Sequence, residues 1–312
     1  MEMKFEYKEN ARIKIKFKNN IENLINGLDE FLKEVEVKYN NKFDHYSTSL
    51  LEEYRKRSNV KDRSKSYIKY LEENFEQFAN KTDSVLSKNH DLLKSSIQAI
   101  LSLVNFDDYK DQHENEEIEL KATDVIQAMN VFDYYQISTL VTIISKADAF
   151  EFVTTFINNM LENRRNPDNY LKNLDGLIER FTPGYERWQS QTSQFKKLCE
   201  GKLILKVSRC AWADVMKGLD SELSYSFICN SDFKNATTMN PDFNLTRTKT
   251  IMQGDPYCDF CYHDFALTRN LNTLQNKNLI IFCKNSYYRK NNISIQEAFN
   301  NQIKRMERIQ LL

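Results

Sequence analysis

Leu245-Thr246-Arg247-Thr248-Lys249-Thr250-Ile251 alternates its side chains and is rich in β-branched residues, and the chain then runs through Gly254-Asp255-Pro256-Tyr257-Cys258-Asp259-Phe260-Cys261-Tyr262. Period two with β-branching predicts a strand. Gly254 permits positive φ and Pro256 holds the residue before it extended, so a tight turn is expected between the two segments. That turn delivers Cys258 and Asp259 at the start of a second strand. Alternation then sends Cys258 and Phe260 to one face and Asp259 and Cys261 to the other. Leu203-Ile204-Leu205-Lys206-Val207, Leu223 to Cys229 and Leu279 to Cys283 read as further strands of one small sheet. Ala211 to Lys217 reads as a short helix ended by Gly218.

Upstream the period changes. Ala11 to Lys18 alternates apolar and basic residues and predicts a leading strand. Ile21, Leu24, Ile25, Leu28, Phe31, Leu32 and Val35 then recur at three and four, the stripe of an amphipathic helix that Asn19 or Asn20 can cap. Helical spacing continues over 44–80, Val85–Val104 and Thr123–Leu161, with a break near Ser145, a polar loop at 105–119 and a turn at Asn166-Pro167-Asp168. Ile295 to Leu312 reads as a terminal amphipathic helix. The fold expected is α+β. A mostly helical N-terminal region with a short leading strand covers residues 1–140. A small mixed α/β domain with an antiparallel or mixed sheet covers 141–312 and carries all six cysteines.

Composition narrows the function classes. Among 312 residues, Lys plus Arg and Asp plus Glu number 44 each, so the formal charge is zero, which argues against a protein that coats nucleic acid or an anionic membrane. Aromatic residues at 12% argue against a disordered chain. Only 6 glycines occur and no two lie close together, which removes the dinucleotide loop, the Walker loop and the nucleophile elbow. No apolar run approaches the roughly 18–20 residues that cross a bilayer, and Met1-Glu2-Met3-Lys4 lacks the pattern of a secretion signal, so a cytoplasmic protein is expected. In a reducing compartment, thiols clustered at Cys199, Cys210, Cys229, Cys258, Cys261 and Cys283 point to nucleophile, redox or metal chemistry, or to small buried hydrophobes.

Cys229 ends an apolar run and enters a polar turn with Asp232 three residues on; Cys258 has Asp255, Asp259 and His263 close in sequence. A thiol nucleophile needs a base or cation beside it, so Cys229 and Cys258 are the candidate nucleophiles, with Asp255, Asp232 and His263 as candidate proton carriers. Arg247 and Lys249 share a strand face in the alternation and can hold a carboxylate. The alternative is a zinc or iron–sulfur site built from Cys229, Cys258, Cys261 and His263, with Cys210 as a substitute ligand.

Arg247 to Phe260 (R-T-K-T-x-x-x-G-D-x-x-C-D-F), Cys229-x-x-Asp232 and Cys210 together resemble the 2-amino-thiazoline-carboxylic acid hydrolase family, over roughly residues 145–265 and most densely over 207–262. The resemblance implies an enzyme that opens a C–N bond of a small cyclic amidine acid. In that reading a thiolate of Cys229 or Cys258 adds to the amidine carbon, Asp255, Asp232 or His263 manages the proton, and Arg247, Lys249 and Asp259 hold the substrate. The same site working with an amine in place of water gives an acyl or amidino transferase or a ring-forming condensing enzyme. A third reading is a non-catalytic protein that binds a small molecule or a metal. The expected partner is a small-molecule substrate, without cofactor, nucleic acid or membrane, and the helical N-terminal region offers a seam for a homodimer.

Overall fold

The computed structural model describes residues 2–58, 71–75, 84–106 and 117–268. The strand read at Leu279–Cys283, the terminal helix at Ile295–Leu312, residues 107–116 of the polar loop, and Cys283 lie outside the described residues.

The chain opens with two short strands, β1 (Glu2–Phe5) and β2 (Arg12–Ile15). β2 is the alternating segment, with Ile13 and Ile15 buried and Arg12 and Lys14 exposed. α1 (Phe17–Lys38) then buries Ile21, Ile25, Leu28, Leu32 and Val35 along its stripe. Its N-cap is Lys16, without a side-chain bond, so neither Asn19 nor Asn20 caps it; the helix has already begun at Phe17, which is buried beneath it. α2 (Asn40–Arg57) adds Tyr46, Leu50 and Tyr54, all fully buried. Asp29 of α1 ties down α3 (Val85–Lys88), accepting from Ser84 Oγ at 2.7 Å and from the Leu86 amide at 3.0 Å.

α4 (His90–Leu103), β3 (Ile118–Lys121) and α5 (Ala122–Ile143) complete the helical layer, and β3 pairs antiparallel with β2. The break near Ser145 is a helix start: the Ser145 hydroxyl accepts the Asp148 amide at 3.0 Å and opens α6 (Lys146–Asn163).

α7 (Leu174–Trp188) leads into the sheet of β4 (Gln191–Cys199), β5 (Lys202–Cys210), β6 (Phe243–Arg247) and β7 (Cys258–Asp264). With β1 at one edge, the order is β1-β4-β5-β7-β6 and every pair is antiparallel. The architecture is α+β, with helices at the N-terminal side and a five-stranded antiparallel sheet. Leu203, Leu205 and Val207 of β5 stand opposite Tyr262, Phe260 and Cys258 of β7 on one face. Leu177 and Ile178 of α7 pack on that face.

Leu223 to Cys229 is not a strand. Asp220 caps α9 (Ser221–Ser224), its carboxylate accepting the Glu222 and Leu223 amides at 3.0 Å each, after α8 (Ala211–Val215). Leu223 and Phe227, four residues apart, then bury together against the helical core, so the helical period overrides the apparent alternation. A π-turn, Tyr225–Cys229, follows and leads into α10 (Ser231–Met239).

Candidate active site

A cavity of about 370 Å³ opens between the sheet, α7 and the segment that runs from the π-turn into α10. Its floor is Leu205, Val207, Cys258, Phe260 and Tyr262, the alternate residues of β5 and β7. Tyr185 and Trp188 of α7 and Trp212 of α8 give it aromatic walls. Cys229, Asp232 and Asn235 close another side, and Cys210 stands at the end of β5. Three thiols and one carboxylate therefore face one space.

Arg247, the last residue of β6, organises that wall from behind. Its guanidinium donates from Nη1 to Asp232 Oδ2 at 2.6 Å and from Nη2 to the Cys229 carbonyl at 2.7 Å. The side chain is 1% exposed, against 34% for Asp232, so the arginine is under the wall while the carboxylate is open to the cavity. Its charge also sits over the rings of Phe260, at 4.9 Å, and Phe233, at 5.0 Å. The π-turn makes the arrangement possible. The Asn230 amide reaches back five residues to the Tyr225 carbonyl at 2.9 Å, and this wide turn brings the Cys229 carbonyl to Arg247.

The electrostatics of the thiols follow from burial. It pushes Cys210 up to about 11, although the Trp212 and Ala213 amides and Gln191 oppose it. It pushes Cys258 up to about 12 against the amide of Ile251, which donates to the sulfur at 3.3 Å. Cys229 is also raised, by burial first and by the negative charge of Asp232 second, with Arg247 opposing. Burial raises Asp232 as well, and Arg247 pulls it back. All three thiols thus rest protonated at neutral pH.

The remaining candidates stand elsewhere. Asp255 closes the turn, its carboxylate accepting the Thr250 amide at 2.9 Å, and it does not line the cavity. Gly254 has φ +91°, the positive value expected there. Asp259 faces away from the cavity: Oδ1 accepts the amides of Thr248 at 2.8 Å and Lys249 at 2.6 Å, and Oδ2 accepts the Thr248 hydroxyl. Lys249 lies beyond the end of β6 with its ammonium 4.9 Å from the Tyr257 ring, so it does not share a strand face with Arg247.

His263 and Cys261 occupy the back face of β7. His263 Nε2 and Thr246 Oγ1 are 2.9 Å apart, and burial, with Lys202 nearby, lowers the imidazole to about 4. Cys258 and Cys261 are therefore on opposite faces, and the alternative ligand set Cys229, Cys258, Cys261 and His263 is not brought together. Among the described residues no group of three or more His, Cys, Asp or Glu side chains is placed to hold a metal.

Two roles were not foreseen from the sequence. Cys210, read there as part of the family pattern and as a substitute metal ligand, is a third thiol lining the cavity, just before a short helix. Arg247 is a strut, which no spacing announces.

Residues 124–262 match the family model of L-2-amino-thiazoline-4-carboxylic acid hydrolase. Every residue lining the cavity falls within the matched segment. The match begins at Asp124, earlier than the motifs suggested, and so takes in α5 of the helical layer. No curated protein and no solved structure matches the chain. Among the described residues no helix is long and apolar enough to cross a membrane.

Proposed function

We propose that this chain is a hydrolase that opens a C–N bond of a small cyclic amidine, with Cys229 as nucleophile and Asp232 as its proton acceptor. One observation carries the proposal: a single guanidinium, that of Arg247, holds both the Asp232 carboxylate and the main chain of Cys229 at the wall of one cavity. The match to a family named for a thiazoline hydrolase supports the reaction class.

The chemistry runs from that geometry. Cys229 is protonated at rest, so its sulfur becomes a nucleophile only as the proton leaves. Asp232, whose burial raises its affinity for a proton, takes it while the sulfur bonds to the amidine carbon. The buried Arg247 charge offsets the negative charge that moves between them. The ring C–N bond then breaks, and the carboxyl of Asp232 returns the proton to the departing nitrogen. Water, deprotonated by the same carboxylate, cleaves the carbon–sulfur bond and restores the thiol. An amine in place of that water would give transfer.

A second reading is favoured by a specific observation: three protonated thiols among aromatic walls also suit a protein that binds a small ring without turnover. Mass spectrometry of ring-opened product from 2-amino-2-thiazoline and its 4-carboxylate separates the two. Cys229→Ala is expected to lower turnover by at least ~10³-fold, since nucleophile and base act as a unit. Cys261→Ala, on the back face of β7, is expected to retain turnover within about threefold. Full activity in Cys229→Ala rejects the nucleophile, and binding of both compounds without turnover by the wild type favours the second reading.

A further inference from the structure

The back face of the sheet is polar in sequence and dry at its centre. Lys202, Ile204 and Lys206 of β5 and Asp259, Cys261 and His263 of β7 alternate onto it, and Ile204 stands directly opposite Cys261. An antiparallel sheet with one wet face carries polar side chains there and leaves them open to water. Here Ile204 is 4% exposed, Cys261 5% and even Lys202 only 6%. Burial also lowers the His263 imidazole to about 4, with Lys202 adding to it. α7 and α10 do not supply this cover, because their apolar residues pack with Leu205, Val207 and Tyr262 on the cavity face. Neither of the apolar cores formed by the described residues includes Ile204 or Cys261.

We infer that the back face is a docking surface for this chain's own residues 269–312, with the apolar stripe Ile295, Phe299, Ile303 and Met306 seated over Ile204 and Cys261. Position in the chain singles out this segment. Residues 59–70, 76–83 and 107–116 are flanked by Tyr54 and Leu71, Phe75 and Val85, and Phe106 and Ile118, all of the helical core. Residues 269–312 instead follow from the sheet, shortly after β7 ends at Asp264. The sequence supplies what the face needs: spacings of four, four and three put the four apolar side chains on one helical stripe. A helix over Ile295–Leu312 measures about 27 Å, against roughly 20 Å across five strands, so a single pass covers the centre of the sheet. The docked segment would lie behind β7, the strand whose other face gives the cavity its floor.

The test is lysine cross-linking of the full chain with a bis-succinimidyl reagent, in an equimolar mixture of unlabelled and heavy-nitrogen protein, read by mass spectrometry. Links from Lys196 or Lys206 of the sheet to Lys290 or Lys304 are expected. They should join residues of one isotope at least about tenfold more often than residues of two, because the effective concentration within one chain is millimolar. Alkylation by N-ethylmaleimide, mapped peptide by peptide, is the second measurement. Cys261 is expected to react at least about tenfold faster in Ile303→Asp than in the wild type, whereas Asn301→Asp, off the stripe, should keep it within about twofold. Mixed-isotope links at parity with single-isotope ones would assign the face to a second copy and overturn the inference. Absence of these links, fast alkylation of Cys261 in the wild type, or equal Cys261 rates in the wild type and a folded Ile303→Asp would also overturn it. Should Ile303→Asp unfold, Cys258 in the cavity will react as fast as Cys261, and the cross-links of the wild type then decide the matter.

Discussion

On one face of β7, Cys258, Phe260 and Tyr262 look into the cavity; on the other, Asp259 holds the amides of Thr248 and Lys249, Cys261 is buried and His263 meets Thr246. Six consecutive residues therefore divide between cavity and framework by a rule as simple as pleating. Within the motif that spans Arg247 to Phe260, Cys258 and Phe260 line the cavity while Asp255 and Asp259 accept main-chain amides. Half of it builds the strand and turn that carry the rest. Arg247 shows the same division at the end of β6, where a buried cation braces the cavity wall through Asp232 and the Cys229 carbonyl.

The largest expected effect comes from removing that brace. Arg247→Met leaves Asp232 without its ion partner and the Cys229 carbonyl without its donor. Breaking a buried pair costs about 3–5 kcal/mol, and the low end, ~3 kcal/mol, is expected because Asp232 keeps access to the cavity. Urea denaturation monitored by tryptophan fluorescence measures it. A loss below about 1 kcal/mol would put the pair among ordinary surface bridges and remove the distinction between wall and brace.

The back face is tested through pH. His263 titrates far below its ordinary value because burial, aided by Lys202, disfavours the imidazolium in the folded chain. The folded state therefore binds the proton less readily than the unfolded one. Stability from the neutral ring is complete above about pH 6.5 and is lost as the pH falls toward 4. Asp232 and Asp259 act in the opposite sense. Burial raises both, so their contribution is present below the ordinary carboxylate range and declines as the pH rises through it. Between pH 7 and pH 4.5 the wild type is expected to lose about 2–3 kcal/mol more than His263→Gln, from a shift of this size. Parallel acid limbs in denaturant titrations of the two proteins would mean that the ring is solvated.

The contrast between face and brace also explains what the sequence could and could not disclose. The stripes of α1 and α4, the start at Ser145 and the turn at Gly254 depend on neighbours within a few residues, and their periods are visible. The sorting of Cys258 from Asp259 was legible for the same reason. β1 and β4 were not, because their partners are remote: Met3 stands opposite Phe195, and the buried inner positions of β4 include a serine, Ser193, beside Phe195. The π-turn hid behind an alternation that Leu223 and Phe227 satisfy equally well as helix. Most of all, Arg247 reaches Asp232 across 15 residues of sequence, a contact that only folding creates.

Two glycines sharpen the same comparison at its smallest scale. Gly254 sits in the framework turn at φ +91°, with nothing within 4 Å of where a Cβ would stand. Alanine there meets no clash, so its cost is conformational alone, about 1–2 kcal/mol. Gly184 lies inside α7 and lines the cavity, also with open space around a Cβ and without positive φ. Alanine at that position removes unfolded-state entropy and favours helix, a gain of about 0.4–1 kcal/mol. Thermal denaturation of Gly254→Ala and Gly184→Ala should therefore shift in opposite directions although both add one methyl group to empty space. A shift of the same sign in both would mean that local packing, and not backbone conformation, sets the cost. The methyl at Gly184 also narrows the cavity, so the stabilised protein should bind a substituted amidine less tightly than the parent ring.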